Sequence, residues 1–264
     1  MDYQLKGKTA LITGSTLGIG FAIAQGLAHE GVAVIVNGRD KLRVLEAKKR
    51  IEAHVPHAKV EAAAVDLSSA EGCAALIAAH PQVDILVNNL GIFEIKPFEQ
   101  ILDGDWLRFF ETNVMSGVRL ARHYLPLMKA RDWGRIVFIS SESGLNTPGD
   151  MVHYGMTKTA QLALARGIAA AAAGSGVTVN AVLPGPTGTE GAGAFLQRMA
   201  EEQGLTLEQV EQNFFAQARP TSLIKRFASP TEVANLVVYV CSPLSSATTG
   251  ASLRVEGGVV NSLA

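Results

Sequence analysis

A tyrosine and a lysine stand four residues apart, Tyr154 and Lys158, in the stretch SSESGLNTPGDMVHYGMTK at residues 140–158. Residues i and i+4 share a helix face, so a phenol and an ammonium here point the same way. A tyrosine hydroxyl titrates near ~10 and is a poor base at neutral pH. A nearby ammonium stabilises the phenolate and lowers that value. Such a tyrosine can give a proton to a carbonyl oxygen as hydride arrives, or remove one in the oxidative direction. Ser140 and Ser141 lie upstream at a strand end, where a serine hydroxyl can hydrogen-bond a substrate oxygen and stabilise charge developing there. Neighbours on a strand face opposite ways, so only one of the two can do so. A serine nucleophile with a histidine base is the competing chemistry. His153 adjoins Tyr154, but helix neighbours diverge by ~100° and the chain has no G-x-S-x-G elbow.

Short β-branched runs alternate with longer helical patterns and must position these residues. Strands are expected at 8–13, 32–37, 59–66, 83–89, 134–141, 176–185 and in the final ASLRVEGG (251–258). Helices are expected at about 18–30, from Asp40 onward, at about 103–131 and 152–174, and after Ser229. Alternation of this kind needs crossover connections, which make the sheet parallel. Uncharged strand centres such as ILV and IVFI fit strands buried on both faces. The expected architecture is one Rossmann-like, doubly wound α/β domain over residues 1–264, with about seven parallel strands and ligands at the carboxyl ends of the strands. The irregular stretch at about 186–222 is glycine-rich at its start and helical in its middle, as a substrate lid would be.

TGSTLGIG (13–20) links the first strand to the first helix. Gly14 permits a tight turn. Gly18 and Gly20 let backbone amides approach a diphosphate, and the helix N-terminus adds positive potential. The spacing is G-x-x-x-G-x-G.

Together these motifs resemble the short-chain dehydrogenase/reductase family over nearly the whole chain. The resemblance rests on TGSTLGIG, NNLG (88–91), Asn113, Ser141, the Tyr154–Lys158 pair and PGPTGT (184–189), in the family's order. It implies a nicotinamide cofactor, with Asn113, Ser141, Tyr154 and Lys158 as the catalytic set. The family spacing selects Ser141 over Ser140. It gives Lys158 a second role on the nicotinamide ribose hydroxyls, and gives Asn113 the tasks of bending its helix and holding a water for a proton relay. Cofactor contacts implied by position are Gly14, Ser15, Thr16, Gly18, Ile19, Gly20, Asp66, Leu67, Asn88, Gly91, Pro184, Gly185, Thr187 and Thr189. Asp66 matches the adenine position and Asn88 the one along the adenosine ribose. Thr187 matches the carboxamide position and Thr189 the diphosphate position. Leu90 stands where the family usually has alanine. Where members using NAD carry an acid after the second strand, this chain has Gly38 followed by Arg39. Arg39 can form charge-assisted bonds to a ribose 2′-phosphate, so NADP(H) is expected over NAD(H). Pocket walls are expected from Phe93, Ser143, Leu145, Met151, Phe195 and Met199, most of them apolar, suiting a ketone or secondary alcohol with a hydrophobic body.

Bulk properties exclude other classes. The 264 residues are 48% hydrophobic and 18% charged, with net charge −1, which gives no electrostatic case for nucleic acid or an anionic membrane. No segment reads as a membrane span. Cys73 and Cys241 are isolated, which suggests a reduced, cytoplasmic setting, and the scattered histidines give no metal-binding spacing. The small-residue helix TKTAQLALARGIAAAAAGSG and the 103–131 helix suit a homodimer or homotetramer with two-fold symmetry, as the family implies. The leading expectation is an NADP(H)-dependent carbonyl reductase/alcohol dehydrogenase. Its rivals are a 3-oxoacyl-[acyl-carrier-protein] reductase, which would need a basic landing patch, a non-catalytic NADP(H)-binding scaffold or sensor, and an isomerase or dehydratase on the same fold.

Overall fold

Each central strand sends alternate apolar residues to opposite faces, and both faces are covered. Ala10, Ile12, Val34, Val36, Ile85 and Val87 enter one core, and Leu11, Ile35 and Leu86 enter the other. The period of two explains why the stretches at 10–12, 34–36 and 85–87 are apolar throughout. Each such Val, Leu or Ile side chain, fully buried, contributes roughly 1.5–3 kcal/mol. The computed structural model describes residues 2–263, with Phe195 described in its backbone only.

Seven parallel strands form one sheet: β1 (Thr9–Ile12), β2 (Ala33–Gly38), β3 (Val60–Ala64), β4 (Ile85–Asn88), β5 (Gly134–Ile139), β6 (Val177–Pro184) and β7 (Ser252–Val255). Their order is β3-β2-β1-β4-β5-β6-β7. The order reverses between β1 and β4, which opens a crevice beyond their carboxyl ends. Helices α1 (Gly18–His29), α2 (Lys41–His54) and α9 (Pro230–Cys241) cover one face. Helices α3 (Ala70–Ala79), α5 (Ser116–Ala130) and α6 (Val152–Ala171) cover the other.

Two regions refine the expectation. The 103–131 helix is interrupted: α4 (Asp103–Phe110) passes through a π turn at Glu111–Met115 before α5 begins. A π turn adds a residue to the helical repeat and lets a side chain leave the regular face, and it places Asn113 at the crevice. The stretch after β6 folds as α7 (Glu190–Gln203), α8 (Leu207–Asn213) and a second π turn, Phe214–Ala218. Thr189 caps α7 by accepting from Ala192 N at 3.2 Å, and Gly204 ends it in the left-handed region. Phe214, Phe215 and Phe227 pack together with ring centroids 5.1 Å apart, fastening the end of this insertion to the segment that leads into α9.

Candidate active site

The glycine loop is built from the inside by side chains the sequence reading did not single out. Asn89 Nδ2 donates to the carbonyls of Thr13 and Gly14, both at 2.9 Å. Thr13 Oγ1 accepts from the amides of Asn89 and Leu90, both at 2.9 Å. Asn37 Oδ1 accepts from Gly14 N at 3.2 Å. Ser15, expected at the cofactor, is fully buried, and its hydroxyl donates to Ile12 O at 2.7 Å. It therefore shapes the loop and does not present its hydroxyl to a ligand. Gly18 has φ +59°, a conformation that side chains disfavour. Its amide donates to a carboxylate oxygen of Glu190 at 2.9 Å. An anion thus already sits on a loop amide at the N-terminus of α1, and a diphosphate fits the same chemistry.

Two cavities flank this loop. One, of about 370 Å³, is lined by Gly14, Thr16, Gly38, Arg39, Arg43, Asp66, Leu67 and Leu90 among others. Leu90 is the residue that departs from the family's alanine, and it is half-buried, packing against the core while it lines this space. Asp66 accepts from Ser68 N at 3.0 Å, and that bond, with help from the charge of Arg39, holds its carboxyl below the usual range. It does not cap α3, which Ser69 does. Asp40 caps α2. Arg43, one turn beyond Arg39, faces the same cavity. Its spacing from Arg39 was the available signal.

The second cavity, about 250 Å³, is lined by Ile19, Asn89, Gly91, Phe93, Ser141, Tyr154, Lys158, Pro184, Gly185, Thr187 and Thr189 among others. It opens on a third of about 190 Å³ that shares Phe93, Ser141, Tyr154, Gly185 and Thr187. A dinucleotide spanning the first two cavities would place its reactive end beside Tyr154. Asn88 does not line either cavity. Its buried side-chain amide has no hydrogen-bond partner among the described residues. Thr187 donates to Gly185 O at 2.9 Å and is buried.

The polar side chains of the site converge from the end of β5, from α6 and from the π turn. Ser141 follows β5, and its Oγ accepts from Ser143 N at 3.1 Å and donates to Glu142 Oε2 at 2.5 Å. Ser140 turns the other way and donates to Lys158 O at 2.8 Å, anchoring α6 to the strand end. Lys158 is buried, and its Nζ donates to Ile139 O at 2.8 Å and to Gln161 Oε1 at 3.3 Å. Gln161 Nε2 in turn donates to Asn113 O at 2.7 Å. The Asn113 side chain clamps the loop after β4, accepting from Ile92 N at 2.8 Å and donating to Ile92 O and Thr157 Oγ1 at 3.0 Å. Gln161 was missed by the sequence reading, although it lies one turn after Lys158 on the same helix face.

Burial acts on the tyrosine and the lysine in opposite senses. It pushes the Tyr154 hydroxyl up to about 12, with the Glu142 charge adding to the rise and the Arg219 charge opposing it, as a hydrogen bond donated by Ser141 to the phenolate also would. It pushes Lys158 down to about 7. The expectation that the lysine charge lowers the phenol is therefore corrected for the chain alone: desolvation is the larger effect. Lys158 Nζ lies 5.5 Å from the Tyr154 ring centroid. Together the phenol, serine and ammonium can move a proton to or from an oxygen in the cavity they share.

The third cavity has apolar walls of Phe93, Ile95, Met151, Leu196, Phe214 and Phe227, with Ser143, Glu142 and Arg219 as polar members. Phe93 meets Tyr154 edge-on at 6.4 Å. Of the expected wall residues, Phe93, Ser143 and Met151 line it, and Leu145 and Met199 do not. Leu145 is exposed past the short turn at Glu142–Gly144. Met199 lies about 10 Å further along the α7 axis than Ala192, which does line the cavity. The side chain of Phe195 lies outside the described residues. Leu196, Phe214 and Phe227 were not foreseen. His153 neither lines the cavity nor faces solvent: it is buried against Phe109 and Trp106, and burial lowers its pKa. Among the described residues, no group of His, Cys, Asp or Glu could hold a metal ion, and no helix is long and apolar enough to cross a membrane.

A doubly wound sheet, a glycine loop at its switch point and a serine, tyrosine and lysine at the strand ends define a nicotinamide-type oxidoreductase fold and site. The family described as "short chain dehydrogenase" matches residues 8–200, and the chain belongs to it. It is 48% identical over 263 residues to the oxidoreductase YvaG of Bacillus subtilis (strain 168), covering all of both chains. It is 33% identical to the 3-oxoacyl-[acyl-carrier-protein] reductase FabG of Aquifex aeolicus, covering 98% of this chain and all of that one. The fold superimposes on L-sorbose reductase from Gluconobacter frateurii, solved with NADPH and L-sorbose, with a TM-score of 0.94 at 31% identity over the full length of both.

Proposed function

We propose that the protein transfers a hydride between NADP(H) and a small ketone or secondary alcohol, with Tyr154 as general acid and base. The observation that carries this reading is the shared wall of the two inner cavities, where Ser141 and Tyr154 face both the space for a nicotinamide and an apolar chamber. The cofactor, when bound, supplies or takes the hydride. The chain's own residues do the rest. Tyr154 gives its proton to the carbonyl oxygen, Ser141 hydrogen-bonds that oxygen, and Lys158 and Gln161 tie Tyr154's helix to Asn113. Phe93 and Phe214 give the chamber apolar walls.

The preference for NADP rests on the outer cavity. Arg39 and Arg43 both line it, and a Cβ at Gly38 would come within 2.7 Å of Thr16 Cγ2. An acid that would favour the unphosphorylated ribose is thus disfavoured at position 38, and two guanidinium groups can meet a 2′-phosphate. A chamber of about 190 Å³ suits a compact substrate. The outer face of α6 presents Ala163, Arg166, Gly167 and Ala170 to solvent, and we assign it to a two-fold interface between copies of this chain.

The test follows NADPH and NADH oxidation across a panel of small ketones and sugars, comparing wild type with Tyr154→Phe. The expected result is NADPH-linked turnover that falls ~10²–10⁴-fold in the variant while NADPH binding persists. Turnover undiminished in Tyr154→Phe would sink the assignment.

A further inference from the structure

The Ser141 hydroxyl has one hydrogen and two acceptors beside it. One is the Tyr154 oxygen, whose phenolate a Ser141 hydrogen bond favours. The other is Glu142, a buried carboxylate that no step of the proposed reaction uses. In the structure Ser141 Oγ lies 2.5 Å from Glu142 Oε2, placed to donate a charge-assisted hydrogen bond to it. Glu142 is firmly held there. Its Oε2 also accepts from Ser143 N at 2.5 Å and Ser143 Oγ at 2.8 Å. Its Oε1 accepts from Arg219 Nε at 2.9 Å. Arg219 comes from the far end of the insertion, 77 residues away, and is itself fixed through Nη1 to Ala218 O at 2.9 Å.

We propose that Glu142 is a positioning residue for Ser141 and Tyr154: it keeps the Ser141 hydrogen from the Tyr154 oxygen, and Arg219 seats it from the insertion. The inference rests on Tyr154 being the proton-transfer group. With Ser141's hydrogen committed, Ser141 meets the Tyr154 hydroxyl only as an acceptor, which favours the neutral phenol. The Glu142 charge acts in the same direction. The charged groups facing Tyr154 are Glu142 after β5, Arg219 from the insertion and Lys158 on α6. A carbonyl that enters the chamber must draw the Ser141 hydrogen away from Glu142 to gain its second hydrogen bond. The neutral, proton-donating form is thereby the resting state, suited to reduction of a carbonyl.

Glu142→Gln keeps the shape, removes the charge and loosens the claim on the hydrogen, so Tyr154 should ionise at lower pH, by about one unit. Arg219→Met removes a positive charge near the phenol and should move the titration the other way. A residue that only held the fold together would not give shifts of opposite sign. The readout is phenolate ultraviolet absorbance of the full-length chain, with the Tyr154 signal isolated by subtracting the Tyr154→Phe version of each variant. In a Ser141→Ala background the Glu142→Gln shift should shrink, because the hydrogen in dispute is gone. Where alcohol oxidation is measurable, its rate below the titration should rise about tenfold in Glu142→Gln. An unmoved Tyr154 in Glu142→Gln, or shifts of the same sign in both variants, would overturn the proposal. If Glu142→Gln does not fold, the Arg219→Met shift decides alone: upward supports, unmoved or downward refutes. The titration needs no turnover, so a wild type that moves no hydride refutes the proposed function and is read separately from these shifts.

Discussion

Replacing Lys158 with methionine should stabilise the protein while abolishing its activity. The lysine is buried, and burial moves its pKa from 10.5 to about 7. Its folded value is depressed, so between these limits the unfolded chain binds more protons than the native one. Stability must then rise with pH from about 7 towards 10.5, and the lysine's cost is greatest at and below neutral pH. At neutral pH that cost is roughly 4 kcal/mol. Methionine fills a similar volume without charge. Against this stand the two lost hydrogen bonds, to Ile139 O and Gln161 Oε1, each worth about 1 kcal/mol, and a buried carbonyl left short of a donor. The net gain should be roughly 1–2 kcal/mol at neutral pH, or about 2–8 °C in Tm for a chain of this size. Thermal melts at several pH values check it. The wild type should melt higher as pH rises from neutral, and Lys158→Met should lack that lysine-linked slope. Activity should fall at least ~10²-fold, because the phenol loses its cationic neighbour. A methionine variant that melts lower than wild type at neutral pH, with the slope intact, would refute the desolvation argument.

Two further outcomes follow from the same geometry. Arg39→Ala should weaken NADPH binding by roughly 10–100-fold and Arg39→Ala with Arg43→Ala by more, since each lost charge-assisted contact to a phosphate is worth ~1.5–3 kcal/mol. NADH binding should barely change, and fluorescence titration of both cofactors measures the ratio. Gln161→Leu cuts the link between Lys158 Nζ and Asn113 O, so kcat should fall by about tenfold with little change in NADPH affinity. A loss confined to affinity would argue against that link.

The strands were legible because a doubly covered parallel sheet demands unbroken apolar runs, and runs such as ILV and IVFI have few other homes. Tyr154 and Lys158 were legible because a helix turns spacing into direction. Residues whose roles depend on distant segments were not. Glu142 reads as one polar residue in a polar turn until Arg219 arrives from 77 positions away. Asn89 and Asn37 reach the glycine loop only because β1 lies between β2 and β4. Phe214 and Phe227 become chamber walls through tertiary folding of the insertion, and Met199 fails to because α7 carries it past the end of the chamber. The π turn at Glu111–Met115 has no periodic signature of its own. It became visible only where Asn113 leaves the regular helical face to clamp Ile92.

The burial that made the sheet easy to read also sets the chemistry in a way spacing alone misjudged. Four-residue spacing suggests a full positive charge beside the phenol. Burial pushes Lys158 to about 7, so near neutrality the ammonium is only partly present, while the phenol, at about 12, keeps its proton. Both shifts come first from burial, which disfavours the charged form of each group. Glu142 adds to the same bias, and Arg219 opposes it. A site arranged this way holds its proton ready for an oxygen that gains negative charge. Deprotonating an alcohol asks more of it, because some further positive charge must first bring the phenol down. For the proposed role of Tyr154, this arrangement favours giving a proton over taking one near neutral pH, and the balance moves toward taking one as the solution is made alkaline.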